Sequence, residues 1–218
     1  MRILCVADAR PLELDNKTFG ELVREQRADV VVLAGDLADY CVTGVSDCGV
    51  PVLGVYGNHC DGKYLEQCGA TNLHLSHVTV GGVSFTGLQG CVQYSGEWRG
   101  GGHWCYTQDE YEDLVANLPP ADVLVTHCPP AGINDGEDHA HRGIRALVPW
   151  LRVHRPSLMI HGHTYPSPPV TDLSRIGLPK SRVHYTYGAS AAVIDCRERP
   201  SAVLKGPHRE LFESEMLR

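Results

Sequence analysis

Five short apolar runs in this 218-residue chain each end in a residue whose side chain can hold a metal ion. Asp8 follows the first run, and Gly35-Asp36 the second. Gly57-Asn58-His59 follows the third, Thr126-His127 the fourth, and Gly162-His163-Thr164-Tyr165 the fifth. Carboxylate, amide oxygen and imidazole together suit borderline divalent cations such as Mn²⁺, Zn²⁺ or Fe²⁺. Taken singly, each is ordinary: a strand-end Asp is usually a cap or turn former, and Gly-Asn-His or Gly-His-Thr is usually a turn. Their joint occurrence after five runs points to one shared metal centre. Neighbouring glycines permit the tight turns that bring such side chains to a common rim.

The elements that must position them read as strands alternating with helices. Arg2–Ala7, Asp29–Ala34, Pro51–Val55, Asp122–Val125 and Ser157–Ile160 are short, rich in Val, Ile and Leu, and bounded by turn residues, as buried strands are. Phe19–Arg27, Gln108–Asn117 and Arg142–His154 carry apolar residues at helical spacing. Val78–Gly87, with Gly81-Gly82 inside it, predicts a hairpin. Strand-like runs at Val183–Tyr187, Ala191–Asp195 and Ala202–Lys205 close the chain. This order predicts an α/β sandwich with mixed sheets, in one domain over residues 1–218. In α/β sheets the carboxyl ends of the strands share one rim, where ligands bind, so all five chemistry-bearing tips are expected there.

Composition narrows the partners. The formal charge of −7 argues against sequence-blind binding to duplex DNA, which wants a cationic face. No run of eighteen apolar residues exists, so no membrane span or membrane partner is expected. Nine cysteines, an odd number with no CxxC pair, and a start without a signal-length apolar core predict free thiols and a cytoplasmic location.

The series Asp8…Gly35-Asp36…Gly57-Asn58-His59…Thr126-His127…Gly162-His163 resembles the calcineurin-like metallophosphoesterase superfamily. The stretch from Thr126-His127-Cys128-Pro129-Pro130 to Asn134-Asp135, with Arg142-Gly143-Ile144-Arg145 after it, is similar to the branch containing the metallophosphoesterase-domain brain proteins and bacterial phosphodiesterase or nuclease relatives. The resemblance implies a four-layer αββα sandwich, two mixed sheets flanked by helices, with the site on the loops at one end. It implies that Asp36 bridges two ions, that Asn58, His127 and His163 complete the second site, and that Asp8 belongs to the first. His59 then acts near the leaving group rather than as a ligand.

Two positions depart from the family pattern. Arg10 and Tyr165 stand where the family has histidines of the first metal site. The expectation is therefore one tightly held ion, with a second weak or absent: manganese first, with Fe, Zn, Ni or Mg as alternatives. Arg10 either clamps the substrate phosphate or pairs with Asp8. Tyr165 either donates to a phosphate oxygen or is a buried tyrosine. Cys60 and Cys128, beside ligands, read as small buried apolar residues first and soft ligands second. His139 and His141, in an acidic loop, either approach substrate or sit on the surface.

The expected activity is metal-dependent hydrolysis of small phosphodiesters or nucleotides by a water on the ion, with His59 as acid and Arg10 assisting. Two alternatives stand beside it: a nuclease acting on single-stranded DNA or RNA, and a catalytically impaired nucleotide- or protein-binding scaffold. Tyr94, Trp98, Trp104 and Tyr106, around a Gly-rich loop, either stack on bases or anchor that loop.

Overall fold

The computed structural model describes residues 1–9, 17–94 and 104–164 in full, and beyond them the backbone of five strands. The first sheet has the order β13-β1-β2-β3-β4. Here β1 (Arg2–Ala7), β2 (Val30–Leu33), β3 (Val52–Gly54) and β4 (Thr71–Asn72) run parallel, and β13 (Gly188–Val193) joins antiparallel. The second has the order β11-β12-β10-β9-β6-β5. Its centre, β6 (Val83–Leu88), β9 (Val123–Thr126), β10 (Leu158–His161) and β12 (Arg182–Tyr185), is parallel. Its edges, β5 (His77–Val80) and β11 (Val170–Asp172), are antiparallel.

The layering follows from the two-residue period of a strand. Ile3, Cys5 and Ala7 of β1, with Val30 and Val32 of β2, meet Val83 and Phe85 of β6, Val123 and Val125 of β9 and Leu158 and Ile160 of β10, forming the core between the sheets. The alternate residues Leu4, Val6, Val31 and Leu33 face outward into a second core with Phe19, Leu22 and Val23 of α1 (Phe19–Gln26). On the other side, Leu88, Leu124 and Met159 pack under Tyr111 and Val115 of α3 (Gln108–Ala116) and Leu147, Trp150 and Leu151 of α4 (Leu147–His154). The result is helix, sheet, sheet, helix: the expected four-layer sandwich. Because both faces of the inner strands are buried, they read as unbroken apolar runs rather than alternating ones.

Local chemistry fixes the helices. Thr18 and Glu21 form a capping box on α1, and Thr107 and Glu110 form another on α3. α1 ends where Arg27 turns left-handed at φ 50° and its amide returns to the Arg24 and Val23 carbonyls. The expected helix over 142–154 begins only at Leu147. Upstream, Ile144 is bridged to Pro130, with the Ile144 amide donating to the Pro129 carbonyl at 2.8 Å and the Ala131 amide to the Ile144 carbonyl at 3.1 Å. That extended pairing holds the backbone out of the helical region.

The chain also contains short elements that periodicity does not announce: α2 (Tyr64–Gln67), and the parallel pair β7 (Cys91–Val92) and β8 (Cys105–Tyr106). β14 (Leu204–Lys205) and β15 (Leu211–Phe212) form a separate two-stranded sheet. Among the described residues no helix is long and apolar enough to cross a membrane, and all eight described cysteines are free thiols.

Candidate metal centre

The five tips meet where the two sheets end together. One sheet delivers the oxygen donors, with Asp8 after β1, Asp36 after β2 and Asn58 after β3. The other delivers the imidazoles, His127 after β9 and His163 after β10. One ligand atom each from Asp8, Asp36 and His127 lies within 4.8 Å of the others. The His127 Nε2 stands 3.4 Å from Asp36 Oδ2 and 3.0 Å from Asn58 Oδ1.

The ring of His127 is aimed by the backbone. Its Nδ1 donates to the Ala34 carbonyl, at 2.9 Å, across the gap between the sheets. This leaves Nε2 facing the oxygens, the arrangement by which a backbone carbonyl fixes the tautomer of a ligating histidine. Asp36 Oδ1 accepts the His59 amide at 2.7 Å, and Asp8 Oδ2 accepts the His163 amide at 2.9 Å. Each carboxylate thus spends one oxygen on the backbone of the neighbouring tip.

The backbone is held in costly conformations to achieve this. Asp8, Asp36 and His163 adopt positive φ of 51°, 50° and 68°. Non-glycine residues visit this region infrequently, and such strain gathers at functional sites. Glycines make the approach possible. A Cβ on Gly57 would lie 2.1 Å from Asp36 Oδ1, and one on Gly162 would lie 2.5 Å from Asp8 Oδ2. A larger residue at either position must therefore displace the carboxylate it faces.

Electrostatics agree with the geometry. Burial drives Asp36 upward, but the His127 charge and hydrogen bond outweigh it and hold the carboxyl at about 2. Burial lowers His127, but Asp36 and then Asp8 outweigh it and raise the imidazole to about 9. Asp8 is pushed up to about 6, mainly by burial, with the neighbouring Asp36 charge adding to it. Two converging carboxylates, an amide oxygen and an imidazole whose Nε2 faces them make a donor set that fits a divalent cation once that nitrogen gives up its proton.

His163 joins this group by its ring rather than by a ligand atom. Its ring centre lies 5.0 Å from that of His127, and its Nε2 donates to the Ala140 carbonyl at 2.8 Å, so Nδ1 is its remaining donor atom. His59 is exposed at the mouth, with its Nε2 3.3 Å from the Tyr94 hydroxyl. Arg10 and Tyr165 lie outside the described residues, as does Trp98.

The structure sorts the remaining candidates. Cys60 and Cys128 are buried, with Sγ donating to the Gly57 and Arg142 carbonyls; burial pushes both thiols up to about 12, and they behave as core residues. Trp104 stacks on Tyr56 with ring centres 5.9 Å apart, and Tyr106 meets the fully buried Tyr111 edge-on. Both are therefore packed against the fold as anchors rather than presented as open stacking faces. Tyr94 stays exposed. His141 is tied to Asp138 at 2.9 Å and lies 5.3 Å, ring to ring, from His163. Sequence reasoning misses the roles of Asn134 and His161. Asn134 sits 3.0 Å from His161 Nε2, and its carbonyl accepts the Thr164 hydroxyl, tying the 134 loop to the last tip. The sequence signal for Asn134 is its place in Gly132-Ile133-Asn134-Asp135.

Comparison with known proteins matches this architecture. The family model of the calcineurin-like phosphoesterases matches residues 1–167, and the chain belongs to that family. It is accordingly a metal-dependent phosphoesterase by class. The comparison with curated proteins finds no match. Among solved structures, TT1561 of Thermus thermophilus aligns over 95% of this chain and 99% of its own, with a TM-score of 0.65 at 16% identity. GAP50, the anchor in the inner membrane complex of Plasmodium, aligns over 98% of this chain and 87% of its own, with a TM-score of 0.56 at 12% identity. At these identities the likeness is one of fold.

Proposed function

We propose that this chain is a phosphodiesterase acting on small phosphodiesters or nucleotides, with one divalent cation held firmly and manganese as the first choice. The observation that carries the reading is the convergence of Asp8, Asp36 and His127 within 4.8 Å, with the Asn58 oxygen 3.0 Å from the same imidazole nitrogen. Asp36, Asn58, His127 and His163 would hold that ion, and Asp8 would face it from the first site. Such an ion, once bound, is a Lewis acid for phosphoryl oxygens and lowers the pKa of a coordinated water toward about 7.

The protein's own groups supply the rest. Asp36 and Asp8 are fixed by amide donors from the adjoining tips, so they need no rearrangement when a cation arrives. Preorganised groups of this kind stabilise developing charge without reorganising at the moment of reaction. His59 stands beside the centre through its own amide and acts as proton donor to the departing oxygen, with the Tyr94 hydroxyl orienting its ring. Arg10 takes part of the cationic role that the family assigns to a second ion, and Tyr165 offers a hydroxyl to a phosphate oxygen. A second ion is weak or absent because these two replace its histidines.

The test is hydrolysis of bis-p-nitrophenyl phosphate with Mn²⁺ against a chelated control, with ions counted per chain after dialysis. Metal-dependent turnover with a stoichiometry near one is expected. No turnover with any of Mn, Fe, Zn, Ni or Mg overturns the enzymatic reading in favour of a binding scaffold. A preference for single-stranded DNA or RNA over small diesters reassigns the substrate to nucleic acid.

A further inference from the structure

A cleft of about 630 Å³ opens beside the metal centre, lined among others by Tyr94, Gln108, Asp135, His139, Arg142 and Arg145. Its volume is that of a site for a small organic ligand rather than a lone ion. Two hydrogen bonds link its lining, or the residue next to it, to the residues of the centre. Tyr94 reaches His59 at 3.3 Å, and the carbonyl of Ala140, next to His139, accepts from His163 at 2.8 Å.

Two arginines of this wall stand out in a chain whose formal charge is −7. No carboxylate among the described residues lies within ion-pair distance of Arg142 or Arg145. The acid that shares the cleft, Asp135, is committed to the backbone: its oxygens accept the Gly132 amide at 2.9 Å and the Gly143 amide at 3.2 Å. Asp138, next to His139 of the lining, is bound to His141.

The backbone under these arginines is built rather than loose. Gln108 donates to the Gly143 carbonyl at 3.0 Å and accepts the Arg145 amide at 3.0 Å. Ile144 between them is bridged to Pro130 and fully buried. Gly143 lies so close to Pro130 that an added Cβ would sit 2.4 Å from its carbonyl carbon. Two guanidiniums thus project from a pinned strand-like segment, one on each side of Gly143-Ile144. A guanidinium is permanently charged and matches a phosphate in a bidentate fork.

We propose that this cleft is a second anion subsite, in which Arg142 and Arg145 hold a further phosphate group of the substrate while the ester phosphate sits at the metal centre. The preferred substrate class is then a nucleotide diester bearing a second phosphate. This rests on the phosphodiesterase reading and names the substrate of that same site.

Two measurements separate the readings. First, thymidine 5′-(p-nitrophenyl phosphate) is compared with its 3′-phosphorylated analogue as substrates of the Mn²⁺-loaded protein. Preference for the analogue by about tenfold or more in kcat/KM is expected, the scale of one lost charge-assisted contact, falling to about one in R142A/R145A. Equal kcat/KM in the unaltered protein, or a preference that survives the double substitution, overturns the subsite and leaves the phosphodiesterase reading intact. Second, binding of adenosine 3′,5′-bisphosphate and adenosine 5′-monophosphate is measured by calorimetry on the same protein. Tighter binding of the bisphosphate that is lost in R142A/R145A supports the subsite even if neither diester is hydrolysed, in which case only the catalytic reading fails. Equal binding of the two nucleotides overturns it.

Discussion

The two halves of the site are built on opposite plans. At the metal centre, Asp8, Asp36 and His127 are held by the backbone of their neighbours, Asn58 meets the His127 ring, and the group is cradled by glycines and largely enclosed. In the adjoining cleft, the backbone is pinned with equal care, but Arg142, Arg145, His139 and Tyr94 are all exposed. The difference follows from what each half must bind. A cation demands fixed donors at short range, so freedom there costs affinity. A larger substrate must enter and leave, so its recognition groups stay within reach of water on a rigid base.

The comparison breaks most sharply at Asp36. Asp36→Asn leaves the His127 charge facing a neutral amide in an enclosed site. Loss of one preorganised anionic donor of this kind costs about 10²–10³-fold in Mn²⁺-dependent kcat/KM. A loss below about tenfold would show that the centre is not where hydrolysis occurs.

A less direct blow falls on the glycine cradle. Gly57→Ala places a methyl against the Asp36 carboxylate and should weaken Mn²⁺ binding by about 10–100-fold, the effect of disturbing a group that orients a ligand. Calorimetry on a variant whose circular dichroism is unchanged reads this. Undiminished affinity would mean that Asp36 has room to move.

The packing of His74 against β8 should respond to acid. His74 stacks on Tyr106 at 6.4 Å, accepts the Gln89 amide on Nδ1, and burial lowers it to about 4. In the unfolded chain it titrates near its ordinary 6.5. The unfolded state therefore binds more protons between these values, and stability falls as pH drops from 6.5 to about 4. With partial exposure discounted, the effect is about 1–2 kcal/mol, or roughly 3–6 °C in Tm. His74→Phe should show a correspondingly shallower Tm decline over that window. A slope identical to the unaltered protein would remove His74 from the account.

The smallest effect is expected at Tyr94. Tyr94→Phe removes one hydrogen bond to His59, worth about 0.5–1.5 kcal/mol, or about 2–10-fold in kcat. The loss should be greater on an alkyl diester than on a p-nitrophenyl diester, because only the poor leaving group needs the proton. Equal losses on both would argue against His59 as the acid.

How far the sequence reaches can be read from particular residues. The strand tips are legible because a buried parallel strand is a short apolar run with an abrupt polar end, as in Val31-Val32-Leu33-Ala34-Gly35-Asp36. The caps of α1 and α3 lie in four-residue motifs and set the starts of those helices. By contrast, the helical spacing of Ile144, Leu147, Val148 and Leu151 draws Arg142 and Arg145 into a helix they do not join. Bonds from Gln108, 35 and 37 residues away, and the bridge to Pro130 override that spacing. The two-residue strands Cys91–Val92 and Cys105–Tyr106 are illegible for a related reason: a pairing so short has no period of its own.

By itself, then, the sequence determined the identity of the donors and their order along the chain, since residue type and local turn chemistry are properties of short segments. Only the tertiary structure decided that the oxygens arrive from one sheet and the imidazoles from the other, that His127 turns Nε2 toward Asp36 because Nδ1 is held by Ala34, and that two arginines line an open cleft. These are relations between segments up to 155 residues apart, as in the bond from the His163 amide to Asp8. Such relations are set by how the layers stack, which no local pattern encodes.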